Sequence, residues 1–184
     1  MSDIKHTKII GANPANGRSE LDFYPTPPEA TFALLDFLDI PKGNTIWEPA
    51  CCELDMARAM QSRGYNVIAT DIIHGQDFLT EPLHECDWII TNPPFSVSDK
   101  FIRRCAEHGK PFALLLKSQY WHAKKRYDLF DKIRPSFICP LTWRPDFQFK
   151  QHKERRSPLM DVQWCIWLPP YNQNAVFCPL NKKI

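Results

Sequence analysis

Glycine is scarce in this chain. Only six of its 184 residues are Gly, at positions 11, 17, 43, 64, 75 and 109, and no two stand close together. A Gly-x-Gly-x-x-Gly dinucleotide loop and a Walker phosphate loop both need clustered glycines to bring the backbone against phosphate, so both are excluded. Any cofactor turn must be built from residues that carry side chains. The seven cysteines are odd in number, none forms a Cys-x-x-Cys pair, and there is no His-Glu-x-x-His. This argues against a zinc site, or a metal site of that kind, and against a disulfide framework; it fits a reducing, cytoplasmic compartment. The adjacent pair Cys51 and Cys52 reads as two small residues of a turn. No apolar run reaches membrane-span length, and the first residues lack the apolar segment of a secretory signal, so no membrane association is expected.

Net charge is also small, +2, but it hides an asymmetry. Between Lys117 and Arg156 there are eleven Lys/Arg against four Asp/Glu, which leaves twelve against seventeen elsewhere. The same stretch holds Tyr120, Trp121, Tyr127, Phe130, Trp143, Phe147 and Phe149. Basic residues interleaved with aromatics suit a polyanion whose bases can stack. A solvated face of ordinary helices would also carry such a charge run. The cluster Lys150, His152, Lys153, Arg155 and Arg156 has no apolar periodicity and reads as an exposed loop. The candidate nucleic-acid contacts are Lys117, Arg144, Lys150, Lys153, Arg155 and Arg156.

Proline is plentiful, 17 residues, and punctuates the chain. Residues 1–22 are polar and read as a loose arm. Thr26-Pro27-Pro28-Glu29 is a helix opening, with Thr26 as cap and Glu29 completing a capping box. Its apolar positions run to Leu38, before Pro41-Lys42-Gly43. Thr45–Glu48, Val67–Thr70, Asp87–Thr91, Phe112–Leu116, Phe137–Leu141 and Val162–Leu168 read as strands. Leu54–Arg63, Ser98–Glu107 and Tyr127–Ile133 read as helices, the first stopped by Gly64. Strands alternating with helices predict an α/β fold, a mostly parallel sheet with helices on both faces. Ligands in such sheets bind beyond the carboxyl ends of the strands, and three of those ends carry Glu48, Asp71 and Asn92.

Asn92-Pro93-Pro94-Phe95 follows one of these strands. Two prolines stop strand and helix alike and make the turn rigid. The turn offers a carboxamide, a backbone carbonyl and an aromatic ring at the sheet edge. Methylation of an exocyclic base amine needs such groups. That nitrogen is a poor nucleophile because its lone pair is conjugated with the ring. The Asn92 side chain and the Pro93 carbonyl can accept its two hydrogens and localise the lone pair, while Phe95 stacks on the base.

From Phe23 to about Leu168 the chain resembles the S-adenosylmethionine-dependent DNA adenine-N6 methyltransferases, specifically the small phage and prophage type. The resemblance is carried by Phe23-Tyr24-Pro25-Thr26-Pro27, Trp47-Glu48-Pro49-Ala50-Cys51, Ala69-Thr70-Asp71-Ile72, Gln76-Asp77-Phe78, Asn92–Phe95, Leu115-Leu116-Lys117-Ser118 and Trp143-Arg144-Pro145-Asp146-Phe147. It implies a Rossmann-like methyltransferase fold, S-adenosylmethionine as cofactor, and DNA as partner, in a bacterial or phage-infected cell. Asn92, Pro93, Pro94 and Phe95 are then catalytic. Tyr24, Pro25 and Thr26 pack on the cofactor's methionine part; Glu48, Pro49 and Ala50 form its first strand and turn; Asp71 and Ile72 meet the ribose; Asp77 and Phe78 lie along the adenine. Asn before Pro-Pro-aromatic fits adenine N6. No Pro-Cys dipeptide is present for cytosine C5 chemistry.

The family's first turn continues with Gly, one residue, then Gly, where this chain has Cys52 and Leu54. Side chains at those positions are expected to intrude on the cofactor unless the turn shifts. A second reading follows: a catalytically inactive descendant that binds nucleic acid or a protein partner. After Phe95 only 89 residues remain. The expected organisation is therefore an arm over 1–22 and one domain over 23–184 with no separate target-recognition domain.

Overall fold

The structure is a computed structural model that describes residues 24–147 and 160–182. The expected arm, with Phe23, and the basic cluster Lys150, Lys153, Arg155 and Arg156 lie outside the described residues. The order is α1 (Pro28–Leu38), β1 (Thr45–Glu48), α2 (Asp55–Ser62), β2 (Asn66–Ala69), β3 (Trp88–Thr91), α3 (Ser98–His108), β4 (Phe112–Lys117), α4 (Tyr127–Lys132), β5 (Phe137–Pro140), β6 (Val162–Trp167) and β7 (Val176–Phe177). The seven strands form one sheet in the order β2-β1-β3-β4-β6-β5-β7.

Strands β1 to β4 are parallel, and β5 pairs β7 in parallel. Only β6 is antiparallel to its neighbours, β4 and β5. Its direction follows from its connection. The described part of the chain between β5 and β6 contains no helix to carry a parallel crossover.

The strands are apolar on both faces because both faces are covered. In β4 all five residues from Phe112 to Leu116 are fully buried, and they alternate between two cores. Ala113 and Leu115 pack with Ala30, Leu34, Met56 and Met60 of α1 and α2. Phe112, Leu114 and Leu116 pack with Phe101, Ile102, Cys105 and Leu129 of α3 and α4. Each Leu removed from water in this way stabilises by roughly 1.5–3 kcal/mol. The two-residue period of a strand thus places two helices on each side of one sheet.

The start of α1 departs from the capping-box expectation. Pro27 occupies the cap position, no side chain caps the helix, and Thr26 lies one residue outside it. The Thr26 hydroxyl is engaged elsewhere, by the site described next. The helix ends at Asp39, which takes a left-handed conformation.

Candidate active site

The strand order reverses between β1 and β3, where β1 runs on to β2 on one side and β3 to β4 on the other. A crevice forms at the carboxyl ends of strands flanking such a point. A cleft of about 870 Å³ lies there. Its walls include Tyr24, Pro49, Ala50, Asp71, Ile72, Asp77, Phe78, Asn92, Pro94, Phe95 and Lys117. Segments from positions 24 to 117 meet in one place, as the strand-end argument expects.

Asn92 is held by its amide nitrogen. Nδ2 donates to the Tyr24 carbonyl at 3.1 Å and to the Thr26 hydroxyl at 3.0 Å. A backbone carbonyl can only accept, so the amide nitrogen must face it and the orientation is fixed. The opposite atom, Oδ1, is buried and has no hydrogen-bond partner among the described residues. The turn behind it is tied down by Ser98, whose hydroxyl donates to the carbonyls of Pro94 and Phe95 at 3.2 and 3.1 Å. Pro93 is buried and forms no part of the cleft wall. The Phe95 ring lies 5.6 Å from that of Tyr24, and Lys117 Nζ sits 4.6 Å from its centroid, a cation–π contact.

The turn after β1 keeps the backbone that glycine would give it. Cys52 has φ 49° and Leu54 φ 67°. Left-handed conformations cost L-residues about 1–2 kcal/mol each. Hydrogen bonds hold both positions: the Cys52 N–H donates to Asp71 Oδ2 at 2.8 Å, and the Leu54 N–H to the Cys51 carbonyl at 2.7 Å. Cys52 reaches the cleft wall; Leu54 does not. The anticipated intrusion therefore comes from one small side chain. Burial drives the Cys52 thiol pKa up, and the Cys51 thiol is pushed up to about 11, so both stay neutral thiols.

Asp71 accepts two backbone N–H groups, from Cys52 at Oδ2 and from Ile73 at Oδ1, the latter at 2.9 Å. It ties the first turn to the segment after β2 while lining the cleft. Glu48 lies behind the wall and does not line it. Its side chain is almost wholly buried, and Oε2 has no partner among the described residues. Burial raises its pKa well above the ordinary carboxylate range, opposed by a hydrogen bond from the Ala57 backbone in α2 and reinforced by Asp55 and Asp71. Its place is under the turn, joining β1 to α2. Pro25 and Thr26 likewise sit outside the cleft wall, and Thr26 acts on it through Asn92.

Arg144 is not in the cleft; its Nε donates to Asp161 at 2.7 Å on the surface. Sequence reasoning missed Ile73, Gln119, Tyr120 and Arg126, which also line the cleft. The aromatic and basic composition of 117–156 was the signal for the last two. Arg126 lies 4.0 Å from the Tyr120 ring centroid and donates to the Tyr120 carbonyl at 2.8 Å.

No protein-family model matches the sequence, and the search of curated proteins found no match. Solved structures do match. A class I S-adenosylmethionine-dependent methyltransferase of Listeria monocytogenes superposes with a TM-score of 0.58 at 14% identity, over 88% of this chain and 67% of that one. The methyltransferase subunit of a type I restriction-modification system from Streptococcus thermophilus gives 0.55 at 14% identity, over 86% and 47%. A type I restriction enzyme modification subunit from Vibrio vulnificus gives 0.54 at 12%, over 88% and 48%. The fold is that of the S-adenosylmethionine-dependent methyltransferases. This chain spans about half the length of the two restriction-modification subunits. Within the methyltransferase fold, the strand-end cleft and the Asn-Pro-Pro-Phe turn fall at the topological switch point. Among the described residues no cluster of metal-ligating side chains exists, and no helix is long and apolar enough to cross a membrane.

Proposed function

We propose that this chain is a nucleic-acid adenine-N6 methyltransferase that uses S-adenosylmethionine. The observation that carries the reading is the Asn92 side chain. Its nitrogen is fixed by two acceptors, and its buried carbonyl oxygen has no partner among the described residues, in a side chain that lines the cleft. An unpaired buried acceptor costs about 1–3 kcal/mol, a cost that an exocyclic amine would relieve.

The chain's residues fit the cofactor. The cleft volume lies within the range of small-molecule sites, roughly 300–1,000 Å³. The 49–54 turn keeps its glycine-type backbone, which supports cofactor binding and weakens the inactive-descendant reading. Pro49, Ala50 and Cys52 would lie under the cofactor, Asp71 would meet its ribose, and Asp77 and Phe78 its base. Ile72 and Ile73, exposed at 62% and 49%, add an apolar rim. When bound, the cofactor supplies an electrophilic methyl carbon on a sulfonium.

Asn92 Oδ1 would accept one hydrogen of the target amine. That bond pulls the lone pair out of conjugation and towards the methyl carbon. Phe95, backed by Lys117 and Tyr24, offers a ring for the base to stack on. An adenine reaches the cleft only when out of its duplex, at a cost of a few kcal/mol that stacking and hydrogen bonds offset. The similarity to restriction-modification methyltransferase subunits supports DNA as the substrate.

The test is transfer of tritiated methyl from S-adenosylmethionine to DNA, followed by nucleoside analysis. N6-methyladenine is the expected product, lost in Asn92→Ala while cofactor affinity is kept. No transfer to any nucleic acid, with the protein folded, would reject the proposal.

A further inference from the structure

The chain between β4 and α4 walls more than the cleft. Gln119, Tyr120 and Arg126 face the cleft, while Trp121, Lys124 and Tyr127 line a second groove of about 420 Å³ with Phe130 and Arg134. The two hollows are thus separated by one short segment, residues 119–127. Its base is rigid. Tyr120 is buried, and its ring packs edge-on against Trp121 and Phe130 at 6.1 and 5.7 Å, while those two rings lie 4.6 Å apart.

The groove is aromatic inside and cationic at its rim. Tyr127 is 70% exposed, unusual for so large a residue. Lys124 and Lys125 are exposed, and neither is in an ion pair among the described residues. The groove's carboxylate, Asp131, is neutralised by Arg134 at 3.0 Å. Its charge therefore suits an anion, and its open ring suits a flat partner. Polynucleotide strands combine the two.

We propose that residues 119–127 form a ridge crossed by one unpaired nucleic-acid strand. The target nucleotide enters the cleft on one side. The neighbouring base leaves the stack and lies on Tyr127 in the groove, with its phosphate between Lys124 and Lys125. The proposal rests on the nucleic-acid reading of the cleft and names its substrate class: a single strand or a locally unpaired region. A paired neighbour could not enter the groove.

The test uses the full chain and a fluorescein-labelled thymine-rich strand of about 12 nucleotides with one adenine, followed by anisotropy across a salt series. Tyr127→Ala should weaken binding by about tenfold, and Tyr127→Phe should restore it. Lys124→Gln with Lys125→Gln should lower the slope of log affinity on log salt by about 0.7, the one phosphate that the two lysines share. S-adenosylmethionine titration of each variant should match the parent, which separates a local loss from misfolding. Parent-like strand affinity in Tyr127→Ala, or an unchanged salt slope in the double lysine variant, would overturn the ridge. So would equal Tyr127 dependence on a fully paired duplex of the same sequence. A parent that binds no S-adenosylmethionine but loses the strand on Tyr127→Ala would remove the methyltransferase reading and leave the ridge standing. Methyl transfer that is indifferent to Tyr127 would do the reverse.

Discussion

Asn92 Oδ1 and Glu48 Oε2 are both buried oxygens without a hydrogen-bond partner among the described residues, yet physical chemistry assigns them different parts. Asn92 is oriented by its nitrogen and lines the cleft, so on the proposed reading its carbonyl meets the target amine. Removing the Thr26 acceptor should leave Asn92 half-oriented. Thr26→Val is expected to lower the methyl-transfer rate constant by about tenfold, the loss of roughly one hydrogen bond of about 1.4 kcal/mol, with cofactor affinity unchanged. Glu48 is held away from water, and its raised pKa means that the folded state favours the protonated form. Such a group stabilises fully below the ordinary Glu value of about 4.3 and loses that contribution as pH rises through the raised value. Glu48→Gln keeps a neutral acceptor for the Ala57 N–H without this penalty. Urea midpoints should show the variant gaining on the parent from about pH 4 towards neutrality; a constant difference would contradict the assignment.

Elements are joined at the site by short polar relays. Trp47 Nε1 in β1 donates to the Thr70 hydroxyl at 3.0 Å, and that hydroxyl donates to Glu81 at 2.9 Å. Both links adjoin the loop that carries Asp77 and Phe78, whose ring meets that of Trp47 edge-on at 5.0 Å. Thr70→Val would strand the buried indole N–H and should cost about 1–3 kcal/mol in chemical unfolding. In the 49–54 turn, Cys52→Gly relieves one left-handed side chain and clears the cleft wall. Tighter S-adenosylmethionine binding by calorimetry is the expected result. Weaker binding would mean that the thiol itself contacts the cofactor.

At the scale of the molecule, charge and shape divide the labour. The sheet sets the cleft, and on the proposed reading the basic stretch from Lys117 to Arg156 attracts the polyanion. Lys153, Arg155 and Arg156 lie outside the described residues, but their charge belongs to that stretch. If they meet phosphates, replacing all three with Gln should reduce the salt slope of single-strand binding by about 2, at 0.7 per contact. Loss limited to this slope, with cofactor affinity kept, would place them on the substrate path.

Most of the architecture was legible from local pattern. The six longer strands and four helices follow apolar runs, Pro and Gly stops, and strand ends marked by polar residues. Alternation within β4 follows from a period that no tertiary context can alter. The reversed β6 and the two-residue β7 were not legible. Strand direction depends on how a connection packs, and β7 is too short and exposed to carry a pattern. The site divides the same way. The residue types at strand ends name a chemistry because amide, carboxylate and proline turn have fixed hydrogen-bonding capacities. Only the tertiary structure decided that Thr26 serves Asn92 rather than the helix, that Glu48 sits beneath the turn, and that Cys52 and Leu54 take up the glycine backbone. Each depends on partners that are distant in sequence or that impose a conformation the side chain alone would avoid.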